Sequence, residues 1–261
     1  MTEPDVEEPL LSPGERAAIN NGRWFSSLSP ALRHDILRCM YVRRYRHGEQ
    51  IAARGELPVS WMACARGAVR LSSTGGSGKE ITLDYIEPGL WFGELSLIEG
   101  DTHTHDAWAQ GDTVLLCVGK ADFERVLAAH VELYAAMLRL QARRMRKLFE
   151  IVEDLNGLPL RSRLAKKILH LCRGHGVKEA SPCGEMPGTR INLGLAQQEL
   201  ARLVGGARQR INLELKTMER EGVIEVESCG VVVRDALALQ RISQAPGAIG
   251  LQPAASGTGR H

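Results

Sequence analysis

The longest stretch free of both glycine and proline runs from Lys120 to Asn156, and helix formers dominate it. Such a composition predicts one long helix. A rod of that kind divides the chain into an N-terminal and a C-terminal part, and 261 residues are enough for a core in each. Within the rod, Leu138, Met145, Leu148, Val152 and Leu155 recur at the a and d spacing of a helix pair, with Gln141 the polar member of the row. Arg143, Arg144, Arg146, Lys147, Glu150 and Glu153 flank them. The pattern predicts a dimer seam, although a single amphipathic helix lying on its own domain would use five apolar positions nearly as well. Asn156-Gly157-Leu158-Pro159 then stops the helix and makes a hinge.

Before the rod, between Tyr41 and Val118, short apolar or alternating runs are punctuated by Gly48, Gly55, Gly67, Gly75-Gly76, Gly89, Gly93, Gly100 and Gly111. That rhythm predicts an antiparallel barrel or roll. Ala68-Val69-Arg70-Leu71 and Glu80-Ile81-Thr82-Leu83-Asp84-Tyr85 alternate with period two around a flexible hairpin tip, so one face of each strand lines an interior. Residues 1–22 read as an acidic, disordered tail, and residues 244–261 as a flexible low-complexity one.

After the rod, residues 161–173 predict an amphipathic helix and residues 190–193 a short strand. Residues 195–204 then read as a short helix, Gly205-Gly206 as a tight turn, and residues 207–219 as a second helix. Leu200, Leu203, Val204, Ile211, Leu215 and Met218 stand where two crossed helices meet, while Arg208, Gln209, Arg210 and Asn212 crowd the start of the second. Arg fits guanine O6 and N7, and Gln or Asn fits adenine N6 and N7, each through a bidentate pair, so these are side chains suited to reading a major groove. Gln197 on the first helix is a further DNA-contact candidate. Residues 221–226 and 230–234 form a hairpin wing. Charge agrees: residues 158–243 hold 14 Lys and Arg against 9 Asp and Glu, while the whole chain carries only +2, so the rest is net acidic.

The order of roll, long helix and winged helix-turn-helix resembles the Crp/Fnr family of bacterial transcription regulators over about residues 25–240. Two signatures carry it: Trp91-Phe92-Gly93-Glu94-Leu95-Ser96-Leu97 followed by Thr104-His105-Asp106-Ala107, and Gly205-Gly206-Ala207-Arg208-Gln209-Arg210-Ile211-Asn212-Leu213-Glu214-Leu215-Lys216 followed by Gly222-Val223-Ile224. The resemblance implies an α+β chain. It has an antiparallel, jelly-roll-like β-roll sensor over residues 23–132, a dimerisation helix over 133–157 and a winged helix-turn-helix domain over 158–243. It also implies a homodimer on a palindromic double-stranded DNA operator with half-sites about 34 Å apart, and RNA polymerase as a further partner.

In the cyclic-AMP-binding members, a Gly-Glu-Leu cassette holds the ribose through its Glu, and a downstream Arg-Ser or Arg-Thr pair holds the phosphate. Gly93, Glu94 and Leu95 match the first part. His103 followed by Thr104 stands at the second, and an imidazole cannot fork onto a phosphate as a guanidinium does. The Thr and Ser that grip adenine are replaced by Leu148 and Phe149, so cyclic AMP is a poor fit to the resemblance. Two arrangements follow: Leu148 and Phe149 pack near Glu94 and Thr104 and fill the effector pocket themselves, or a different, less anionic effector occupies it with one hydrogen bond to His103 and a response that depends on pH near neutrality. The effector is left open.

The iron–sulfur branch does not fit, because the first cysteine is Cys39. His34, Cys39, His47, His103 and His105 leave arithmetic room for haem ligation, although a lone His more often serves the surface or a hydrogen bond. The six cysteines form neither a CxxC nor a close cluster. The competing class is a metal-dependent, cupin-type enzyme fused to a DNA-binding domain, suggested by His103-Thr104-His105 in a roll. Its third ligand fails, since only Asp106 follows and it points to the opposite strand face from His105. No metal site and no catalytic activity are expected. No run of apolar residues is long enough for a membrane span and the first residues are acidic, so the expectation is a cytoplasmic protein.

Overall fold

The structure is a computed structural model that describes residues 11–76, 78, 80–178, 188–191, 204, 207–227 and 230–245. Helix α1 (Pro13–Asn21), a 3-10 turn (Phe25–Ser27) and α2 (Pro30–Arg38) lead into β1 (Met40–Tyr45), β2 (Gln50–Ala52), β3 (Ser60–Thr74), β4 (Glu80–Ile86) and β5 (Trp91–Phe92). After α3 (Glu94–Glu99) and β6 (Asp106–Gly119) come α4 (Lys120–Ala129), α5 (Glu132–Gly157) and α6 (Leu160–His175). The C-terminal part adds β7 (Gly176–Lys178), β8 (Thr189–Ile191), α7 (Arg208–Arg220), β9 (Ile224–Glu227), β10 (Gly230–Val233) and α8 (Ala236–Gln244).

The first sheet is antiparallel in the order β1-β6-β3-β4, with β2 added to β6 and β5 to β3. The register of β3 on β6 shifts between Cys64 and Ala68, and such bulges bend a long ladder until it curls. Both faces of the long strands are covered. Trp61, Ala63, Val114, Leu116 and Val118 meet α1, α2 and α4, while Met62, Cys64, Leu115 and Cys117 line the inside of the roll with Val69, Ile86 and Phe92. Hence β6 is apolar without a break from Val114 to Val118, where a half-exposed strand would alternate. Trp61 and Trp91 lie 4.1 Å apart at the centre of the outer core, and the Trp24 indole N–H donates to the Ala136 carbonyl at 3.1 Å, tying the start of α5 to the roll.

Two expectations are corrected. Residues 11–22 are not a tail: Ser12 and Glu15 form a reciprocal capping box, and Leu11 and Ile19 are buried in the outer core. Glu15 is itself buried, facing Arg44 at 3.7 Å and Arg66 at 3.5 Å. Burial alone would raise its carboxyl, but the Ser12 hydrogen bonds and the two guanidinium groups outweigh that and hold it below the usual range. The rod is not continuous either. It breaks at His130, whose ring Nε2 lies 2.8 Å from Asp35 Oδ2 on α2, so a tertiary contact redirects the chain where no helix-breaking residue stands.

The second sheet, β7-β8-β10-β9, packs with α6, α7 and α8 around Leu164, Ile168, Ile211, Leu215, Met218, Ile224, Val231 and Leu239. Helix α8, capped by the Asp235 carboxylate on the Ala238 N–H at 2.8 Å, was not expected and runs one residue past the boundary drawn at 243. The helix expected over 195–204 and its Gly205-Gly206 turn lie outside the described residues apart from Val204, which is buried in this core.

Candidate functional site

Helix α7 is oriented by Ile211, Leu215 and Met218, one apolar stripe at helical spacing sunk in the domain core. The start of the helix is left to solvent: Ala207, Arg208, Gln209 and Arg210 are exposed in a row, as is Leu213 on the side opposite the stripe, and Asn212 is half-buried. Among the described residues, no side chain caps the helix at Ala207. Its first backbone N–H groups therefore add a partial positive charge to two arginines, an arrangement that suits a phosphate next to a base edge. Gln197 lies outside the described residues.

The sensor part centres on Glu94. Gly93 precedes it in the left-handed region, with φ of +87°, which starts α3 at a sharp turn that a side chain would strain. The turn drives Glu94 inward to 1% exposure. Its Oε1 accepts from Gln141 Nε2 at 2.6 Å and from Arg144 Nη1, and the same guanidinium donates through Nη2 to the Trp91 carbonyl. Both donors come from α5. Glu94 Oε2 is buried with no hydrogen-bond partner among the described residues.

The rest of the expected pocket is not assembled. Leu148 and Phe149 are 60% and 61% exposed and do not fill the roll. Leu95 is on the outer side of α3, and Thr104 is exposed with its hydroxyl 2.8 Å from His105 Nδ1. His103 is half-buried, its backbone paired with Gly55 and Glu56, and burial pushes its imidazole below the usual value although Glu56 pulls the other way. A neutral imidazole thus stands where an anion would need a cation. Gln141 and Arg144 were present in the sequence as seam and flank residues, without any signal that they reach Glu94.

On α5, Leu138, Met145, Leu148, Val152 and Leu155 are all exposed in the single chain, and Val131 and Tyr134 extend the same spacing one heptad further. They make a continuous uncovered apolar stripe beside the roll-facing one. Leu148 thus lies on this exposed stripe and not in the roll.

Other candidates are occupied elsewhere or stand apart. Asp106 Oδ1 accepts from the Arg54 backbone N–H at 3.0 Å, and His47 Nδ1 from that of Gly111 at 3.0 Å. Among the described residues, no three His, Cys, Asp or Glu side chains are grouped to hold a metal ion, and no helix is long and apolar enough to cross a membrane. Burial raises the Cys64 and Cys117 thiols to about 12 and about 11, so both are inert.

A curled roll whose buried Glu is read by a long helix, joined to a winged helix with a basic, exposed helix start, defines a DNA-binding regulator with a sensor domain. Residues 42–130 match the cyclic nucleotide-binding domain and residues 162–242 the Crp-like helix-turn-helix domain. The global nitrogen regulator of Nostoc is 30% identical over 178 residues, 67% of this chain and 77% of that protein. The cyclic AMP receptor protein of Thermus thermophilus is 29% identical over 219 residues, 84% of this chain and 95% of that one. The crystal structure of a Crp-family transcriptional regulator from Thermus thermophilus covers 78% of this chain and 97% of its own, with a TM-score of 0.65 and 25% identity. The chain belongs to the Crp/Fnr family of transcription regulators. Helix-turn-helix regulators of this family bind DNA, typically as dimers.

Proposed function

We propose that this chain is a homodimeric regulator that binds a palindromic operator, paired along α5, with a sensor roll that does not use cyclic AMP. It has no catalytic role, and RNA polymerase is a further partner. The observation that carries the reading is the hold of Gln141 and Arg144 on Glu94. The carboxylate that would take a ribose hydroxyl already joins sensor to helix, which is the contact a ligand would otherwise supply. The neutral His103 adds to this by removing the phosphate's counter-charge. Leu148 and Phe149 supply no adenine partner. A second reading rests on Glu94 Oε2, buried without a donor: a small uncharged effector offering one hydroxyl or N–H would complete it.

Operator affinity of the purified protein, measured with and without millimolar cyclic AMP, tests the reading. The expected change is less than threefold. An increase of tenfold or more, about 1.4 kcal/mol of coupling, would show that the nucleotide displaces the Arg144 contact and that the ligand assignment is wrong.

A further inference from the structure

Asp84, on β4, shares its carboxylate between two lysines from two different parts of the chain. Lys147 on α5 donates to Oδ2 at 2.9 Å, and Lys167 on α6, the first helix of the winged domain, lies 3.6 Å from Oδ1. The next residue, Tyr85, is buried in the same cluster as Leu164, Ile168 and Leu171, and Ala68 of β3 joins them. The outer face of the roll at β4 is therefore part of the winged domain's core.

Two features make this contact more than surface pairing. Lys167 is only 18% exposed, so its ammonium has little water to fall back on. Burial would raise the Asp84 carboxyl, but the two lysines override it and hold it below its usual range. Burial pulls Lys167 down further than Asp84 lifts it. The second feature is position. β4 is an end strand of the path β1-β6-β3-β4 and runs through a short turn into Trp91 and Glu94. Arg144, which grips Trp91 and Glu94, lies one helical turn before Lys147. Helix α5 thus holds the stretch 84–94 at two points, and α6 is attached at one of them.

We infer that Asp84 couples the sensor roll to the DNA-binding domain, its carboxylate fixing α6, and α7 with it, at one orientation to α5. A shift of the 84–94 stretch reaches the DNA-reading helix through Lys167 rather than through the hinge at 157–159 alone. The inference rests on the proposed dimeric regulator only where operator binding is concerned, because the orientation of α7 sets the distance between two half-sites.

The test uses the full chain with Asp84→Asn, Lys167→Met and the double variant. Hydrogen exchange of the amides from Leu155 to Arg163, without DNA, reports the joint directly. Each single variant is expected to speed that exchange at least threefold, and the double no more than the faster single, because all three remove the same pair. Operator affinity is expected to change at least fivefold in each, with binding to random DNA unchanged. Tryptophan fluorescence of the Trp24, Trp61 and Trp91 cluster shows that the roll is still folded. If Asp84→Asn does not fold, Lys167→Met alone carries the same expectation. Unchanged exchange in a folded variant, or effects that simply multiply in the double, would overturn the inference. Altered exchange in a protein that binds no operator would instead refute the proposed function and leave the coupling standing.

Discussion

Removing Arg144 tests the geometry at its most loaded point. Arg144→Met keeps much of the side chain's length but leaves Glu94, at 1% exposure, with Gln141 as its one remaining donor among the described residues, and removes a donor from the Trp91 carbonyl. Breaking a buried pair by deleting one partner costs about 3–5 kcal/mol. Arg144 is 35% exposed, so water already screens part of the attraction, and the expected loss of stability is about 2–3 kcal/mol. Glu94→Gln is the asymmetric control. It removes the charge that cannot rehydrate and frees one that can, for a loss of about 1 kcal/mol. Adding Arg144→Met to Glu94→Gln should then cost little more. Urea unfolding at fixed protomer concentration, followed by fluorescence of the tryptophans in the roll core, measures all three. Equal losses for Arg144→Met and Glu94→Gln would refute the reasoning, since they would mean that the carboxylate is not dependent on its cation.

Arg208→Ala should weaken binding to the specific operator by about 1–3 kcal/mol and binding to random DNA far less, measured by competition titration; equal losses would make Arg208 a phosphate contact only. Leu148→Lys should abolish dimers in analytical ultracentrifugation, because it sets two ammonium groups face to face in an apolar seam, and a variant that still sediments as a dimer would move the interface elsewhere. His103 gives a pH dependence of definite sign. Burial disfavours its imidazolium, so the unfolded chain takes up the proton first as pH falls. The wild type should therefore lose stability relative to His103→Gln between about pH 7 and the lowered pKa of the folded state. The difference between the two should be constant above pH 7, and a wild type that gains stability relative to the variant in that window would contradict the burial.

What could be read from the sequence is local or periodic. The glycine rhythm marked the roll because each turn needs a residue free of steric restriction. The stripe of Ile211, Leu215 and Met218 placed Gln209 and Arg210 away from the core by angle, while Arg208, in line with the stripe, is outside because it is the first residue of the helix. The Ser12–Glu15 capping box was legible too, but the acidic composition around it masked the signal.

The assignment of faces on α5 was decided by tertiary structure. Leu133, Met137, Leu140, Arg144 and Lys147 follow the same alternating spacing of four and three as Tyr134, Leu138, Gln141, Met145, Leu148 and Val152, so spacing alone does not separate the two rows. Periodicity cannot say which one turns to the roll. The choice was made by the redirection at His130 and by the Trp24 bond to Ala136, which present the first row to the sheet and bring Arg144 to Glu94 and Lys147 to Asp84. Leu148 and Phe149 are thereby left outside, one and two steps further round the helix. A helix carries its pattern in its own sequence, but its rotation about its axis is set by the contacts at its base, and those lie about a hundred residues away along the chain.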